Sequence, residues 1–205
     1  MRPPMLLICL CLLTPVQAAL VGSVWVVIGN DTASTNYPAG ALVRFQNGTY
    51  SVNGRSFSWR STPYGISSSG AGRERTDGIS RPPFILLFPH AQNHVVTNGD
   101  AVRMYPFESG AGSESELVMK LGYAIESGSR DLLDSCFTAA RDRSALYRTL
   151  TERGQHYRLA VKHGLSLRNI VTFTQEGRRK GMLFYTRKDF LEANFIVVGG
   201  RHYFG

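Results

Sequence analysis

The chain has 205 residues, 43% of them hydrophobic and 19% charged, with a formal net charge of +8. That length is enough to bury a core without disulfide or metal staples. No apolar run reaches the ~20 residues that a helix needs to cross a bilayer, which excludes a helical membrane span.

The first eighteen residues have the organisation of a cleavable signal peptide. Arg2 gives a minimal positive start, Met5–Leu13 is an unbroken apolar run, Thr14-Pro15 breaks it, and Val16-Gln17-Ala18 places small residues before a cleavage site at Ala19. Residues 19–205 are then one exported domain, secreted or periplasmic. Cleavage removes Cys9 and Cys11 and leaves Cys136 alone, so the mature chain is free of internal disulfides. Cys136 lies on the apolar stripe of an expected helix, where a free thiol behaves as a small hydrophobe.

The N-terminal half reads as β. Val24–Ile28 is a β-branched run suited to a buried strand. Ala41–Phe45, Thr49–Val52 and Arg55–Trp59 are separated by Asn47-Gly48 and Asn53-Gly54, the strongest short-range hairpin signal, and predict an antiparallel meander. Phe57 and Trp59 share one face of its last strand. Residues 61–83, rich in Ser, Gly and Arg, show neither structural period and are expected as a mobile surface loop. Phe84–Phe88, His94–Thr97, Ala101–Tyr105 and Glu116–Ile125 are further strand candidates.

The second half changes period. Leu133, Cys136, Phe137, Ala140, Tyr147 and Leu150 recur at helical spacing over Arg130–Arg153, with Ser129 as the cap and Asp131 beside the positive helix end. A shorter helix over Gln155–His163 completes a helical pair at about 130–163. Asn169–Thr174 and Met182–Thr186 form a C-terminal β-hairpin, and Phe195–Val198 is a last strand. The fold class is therefore α+β: an N-terminal meander and further strands, a helical pair, then a hairpin and a final strand.

Charge points to function more than any motif does. From Arg130 onward there are fourteen Lys or Arg against seven Asp or Glu, so the C-terminal half carries nearly all the excess. Arg178, Arg179 and Lys180, expected at the tip of the hairpin, and Arg187 and Lys188 beyond it are the candidate anion-binding residues. The leading expectation is an exported basic effector or binding protein that contacts an anionic macromolecule, such as a host or envelope component.

Two enzyme readings stand beside it. Glu114-Ser115-Glu116 follows a Gly/Ser loop and enters an expected strand. This Glu-x-Glu resembles the catalytic turn of mono-ADP-ribosyltransferase toxins, and Ser67-Ser68-Ser69 is similar to that family's earlier serine segment. The resemblance implies that Glu114 and Glu116 are catalytic and that NAD is a substrate; no other cofactor is expected. The family's first-strand arginine has no counterpart in Val24–Ile28. The other toxin-like reading is a metal-free ribonuclease using histidines such as His156, His163 and His202 as acid and base. No metal site is expected: His90 and His94 lack a helix to aim them together. Asn30-Asp-Thr32 and Asn47-Gly-Thr49 match the glycosylation acceptor pattern.

Overall fold

A computed structural model describes residues 19–32, 34–62, 65–70, 75–81, 84–89, 101–138, 170–184 and 190–205. The expected signal peptide, the strand at His94–Thr97 and the helix at Gln155–His163 lie outside them.

Eight antiparallel strands close into a barrel: β1 (Val24–Asn30), β2 (Leu42–Gln46), β3 (Thr49–Val52), β4 (Arg55–Thr62), β5 (Gly65–Gly70), β6 (Arg75–Arg81), β7 (Phe84–Pro89) and β8 (Val102–Pro106). Each strand pairs with the next, and β8 returns to β1 through Val26↔Tyr105 and Val27↔Met104. The expected meander is present as β2–β4. At its second turn Asn53 and Gly54 both take positive φ, 48° and 74°, as a type I′ turn requires.

Side-chain alternation divides the barrel into an inside and an outside. Trp25 and Val27 point inward with Val43, Phe45, Tyr50 and Val52. Phe57 and Trp59 join them from β4, while Ser56 and Ser58 stay exposed. An eight-stranded barrel is just wide enough for its side chains to fill it or for one small ligand. Here aromatic rings occupy the interior: Phe57 stacks on Tyr50 at 5.2 Å, and Trp59 meets Phe45 edge-on at 5.7 Å. Tyr37, from the β1–β2 connection, reaches in and shares a 2.7 Å hydrogen bond with the Tyr50 hydroxyl, to which Ser68 Oγ donates at 3.2 Å. Leu20 is buried in the same cluster, and its carbonyl accepts from both the amide and the hydroxyl of Ser23.

The span 61–83, expected as a mobile loop, instead holds the end of β4 and all of β5 and β6. Ile66 is the one large apolar side chain of β5 in the interior cluster, while Ser68 and Thr76 are buried polar residues, so no apolar alternation marks these strands. Backbone pairing around the closed ring assigns them. Gly78 allows close packing: a Cβ there would lie 2.7 Å from both Ile66 Cγ1 and Leu87 Cδ2.

Val26 and Ile28 face the other way, so β1 is buried on both sides and reads as a continuous apolar run. Their cover is helix α1 (Glu114–Ser127), where a strand was expected over Glu116–Ile125. Leu117, Val118, Leu121, Ala124 and Ile125 recur at i, i+1, i+4, i+7 and i+8, a helical stripe. Gly128 ends the helix at φ 66°, and Ser129 then caps α2 (Arg130–Asp134), its Oγ accepting from the Leu132 amide at 3.2 Å. The expected helix Arg130–Arg153 thus stops at Asp134. Phe137 leaves the helical path to bridge Phe204, and residues 139–153 lie outside the described set. Leu133 and Cys136 are buried as the stripe predicted.

A second, four-stranded sheet completes the fold, in the order β12-β11-β10-β9. Its strands are β9 (Ile170–Gln175), β10 (Arg178–Phe184), β11 (Phe190–Val198) and β12 (Arg201–Phe204). The hairpin exists, but its tip is Glu176-Gly177, both at positive φ, and Arg178, Arg179 and Lys180 lie in β10. The expected last strand is a second hairpin, turned at Gly199-Gly200. Among the described residues, two short helices beside twelve strands keep the class mixed α and β, dominated by the closed barrel.

Candidate functional site

The site lies where the chain leaves the barrel and meets the C-terminal sheet. Phe107 follows β8 and Glu108–Gly110 forms the exit loop. Two buried or half-buried cations hold that loop. Lys120 on α1 is 1% exposed, and its ammonium donates to the carbonyls of Glu108 and Gly110. Arg201 on β12 donates to the Ser109 carbonyl at 2.9 Å, to Glu108 Oε2 at 2.9 Å and to the Gly110 carbonyl at 3.2 Å. Gly110 sits at φ 65°, and a Cβ there would strike the Tyr203 ring at 2.6 Å. Burial lowers the Lys120 pKa, with Arg201 adding to the effect. Burial also pushes the Cys136 thiol up to about 12 and raises the Tyr105 hydroxyl, for which Glu116 is the next cause.

Beside this loop opens a cleft of about 520 Å³. Phe107, Phe137 and Tyr203 form aromatic walls, with Val198 at one edge. Asp131 and Asp134 of α2 and the hydroxyl residues Ser109 and Ser135 supply its polar groups. Tyr203 and Ser109 share a 3.2 Å hydrogen bond, and the Ser135 carbonyl accepts from the Gly110 amide at 2.7 Å. Phe137 is fixed from behind by Phe204, their rings 5.6 Å apart.

The residues singled out in the sequence fall elsewhere. Glu114 and Glu116 occupy the first turn of α1, rather than a turn entering a strand. Glu116 Oε2 accepts from the Gly112 amide at 2.8 Å, and the Glu116 amide donates to Ser113 Oγ. Glu114 pairs with Arg179 at 3.4 Å, so the structure joins one candidate catalytic carboxylate to one candidate anion-binding arginine. Ser67–Ser69 are on β5, four strands round the ring from β1, the strand that α1 covers, and are not brought to Glu114 or Glu116. Arg178 is exposed, and Lys180 donates to Gln175 Oε1 at 3.0 Å. Arg187, Lys188, His90, His94, His156 and His163 lie outside the described residues. His202 is on β12, its backbone paired with Ala111. Among the described residues no group of three or more His, Cys, Asp or Glu could hold a metal ion, and no helix is long and apolar enough to cross a membrane.

Sequence reasoning missed the cleft. Phe107, Phe137 and Tyr203 come from three distant segments, and no local period links them. The cap was readable, since Ser113-x-x-Glu116 is a capping-box signature.

No protein-family model matches the chain, and neither the curated proteins nor the solved structures contain a match to it.

Proposed function

We propose that the chain is an exported binding protein that engages an anionic macromolecule through the hairpin end of its C-terminal sheet. The supporting observation is a juxtaposition. Because β10 and β11 are antiparallel neighbours, the start of β10 and the end of β11 lie at the same end of the sheet, and both two-residue turns project there. That end exposes Arg178 and Arg179 beside Val197 and Val198, which are 59% and 53% exposed. Cationic forks flanked by uncovered apolar side chains suit a charged surface that also offers apolar contact.

Export remains part of the proposal. Cleavage before Ala19 would leave Leu20, which packs inside the barrel, on the mature chain. N-terminal sequencing of secreted material should return Ala19 as the first residue; a start at Met1 would remove the localisation.

Retention on heparin or nucleic acid, measured from low to moderate salt, tests the binding reading. Affinity should fall steeply with salt, because neutralising phosphates or sulfates releases counterions. Replacing Arg178, Arg179 and Lys180 together by Glu should weaken retention. A mature protein that is not retained even at low salt would sink the reading.

A further inference from the structure

We propose that the cleft between α2 and the C-terminal sheet is a binding site for a small organic cation, an alkylated ammonium group. At about 520 Å³ it falls within the range of small-molecule sites. Its walls are three aromatic rings, Phe107, Phe137 and Tyr203, and its charged lining residues are both carboxylates, Asp131 and Asp134. Aromatic faces carry negative quadrupole potential and attract cations, and alkylated ammonium ions are the ions that lose least hydration on entering such a site. Two carboxylates add charge complementarity.

Other ligand classes fit the lining less well. Among the described residues, no group of three or more His, Cys, Asp or Glu gathers there to hold a metal ion. An anion would meet Asp131 and Asp134 without a lining Lys or Arg. Two cations of the described residues beside the cleft are otherwise engaged. Arg201 is tied to the exit loop and Glu108. Arg130 meets Asp134 across one helical turn at 4.0 Å with its own side chain 61% exposed, and pairs so exposed contribute little. The cleft is also built to stay open. Gly110 leaves room for the Tyr203 ring, Ser109 holds the Tyr203 hydroxyl, and Phe204 backs Phe137.

The probes are free choline and its neutral isostere 3,3-dimethylbutan-1-ol, titrated against the full mature protein by ligand-observed NMR. Choline should bind about tenfold more tightly than the isostere. Asp131→Asn, at an exposed position, and Tyr203→Leu should each weaken choline by about fivefold or more. Asp131→Asn should leave the thermal midpoint near that of the parent, and both variants should leave heparin retention unchanged, which separates this site from the hairpin end. Equal binding of the two probes, or choline binding unchanged in both variants, would overturn the proposal, as would no choline binding at all. Phosphatidylcholine vesicles form a second arm. Sedimentation with vesicles that free choline competes away assigns a lipid headgroup, whereas binding of free choline alone assigns a soluble ligand; either source upholds the cation site.

Discussion

Ser113 and Glu116 hold the start of α1 together: the Glu116 amide donates to Ser113 Oγ at 3.2 Å, while the Glu116 carboxylate reaches back to the Gly112 amide at 2.8 Å. The return bond goes to the residue before the cap, a small departure from the usual capping box. It gives both side chains a structural task at the seam between barrel and helix.

Removing that cap should cost stability without touching binding. Ser113→Ala is expected to lower unfolding free energy by about 1 kcal/mol, and Glu116→Gln by less than Glu116→Ala, because the amide keeps an acceptor. Urea denaturation checks the order. Assayed on the same variants, NAD hydrolysis by the parent protein that Glu116→Gln abolishes would instead favour the ribosyltransferase reading.

Alkali should loosen the core through Cys136. The thiol is fully buried and its folded pKa is pushed up to about 12 from an ordinary 9.0. The unfolded chain therefore releases that proton first, and the contribution present below pH 9 is lost as pH rises toward 12. Cys136→Ala should be destabilised by about 1–2 kcal/mol at neutral pH from the cavity it leaves. Its stability should nevertheless decline less steeply between pH 9 and 12 than the parent's. Thermal melts across that range decide the matter, and a parallel decline in both proteins would refute the assignment.

Lys120 acts with the opposite sign. Its pKa is lowered from 10.5 by burial, so the unfolded chain holds the proton longer and stability rises with pH between the lowered value and 10.5. Lys120→Met should flatten that rise. It should also destabilise the fold at neutral pH by about 1–3 kcal/mol, since the Glu108 carbonyl loses its buried donor. Denaturant melts at several pH values would show both effects.

Inside the barrel, the Tyr50 hydroxyl is shared by Tyr37 and Ser68. Tyr50→Phe keeps the ring and deletes the shared oxygen, and is expected to cost about 1–3 kcal/mol. A variant as stable as the parent by guanidinium denaturation would mean the hydroxyls there are satisfied in another way.

The pair formed by Glu114 and Arg179 is half exposed on both sides, and such pairs contribute about 0–1 kcal/mol. Arg179→Ala should therefore leave the melting midpoint nearly unchanged while weakening heparin retention. If stability collapses instead, the triple reversal in β10 would no longer report on binding.

The meander was legible because Asn-Gly pairs punctuate strong alternation, and β1 because an apolar run signals burial on both faces. β5 and β6 were not, since Ile66 is followed in the interior by Ser68, Thr76 and Gly78, which give no apolar period, and only the neighbours on either side make them strands. α1 was readable but misread. Its stripe from Leu117 to Ile125 is helical, and Ser113 and Glu116 announce the start, yet Leu117-Val118-Met119 invites a strand when taken alone. Phe137 shows the opposite limit: it continues a helical period that pairing with Phe204 overrides. The basic residues of β10 were found by charge alone. The aromatic cleft depends on long-range placement that no local pattern encodes.

Closure of the barrel also constrains how the chain can be made. Val26 on β1 waits for Tyr105 on β8, and the residues that seal the outside of that seam, Leu117 and Leu121, come later still. A chain emerging from its N-terminus therefore carries two unpaired strand edges until the eighth strand arrives, and a bare apolar strip on β1 until the helix follows. Non-local pairing of this kind forms slowly, and open edges invite strand addition by other chains. If the protein is exported, moving it unfolded and letting the ring close on the far side would keep that vulnerable interval out of the crowded compartment where it is synthesised.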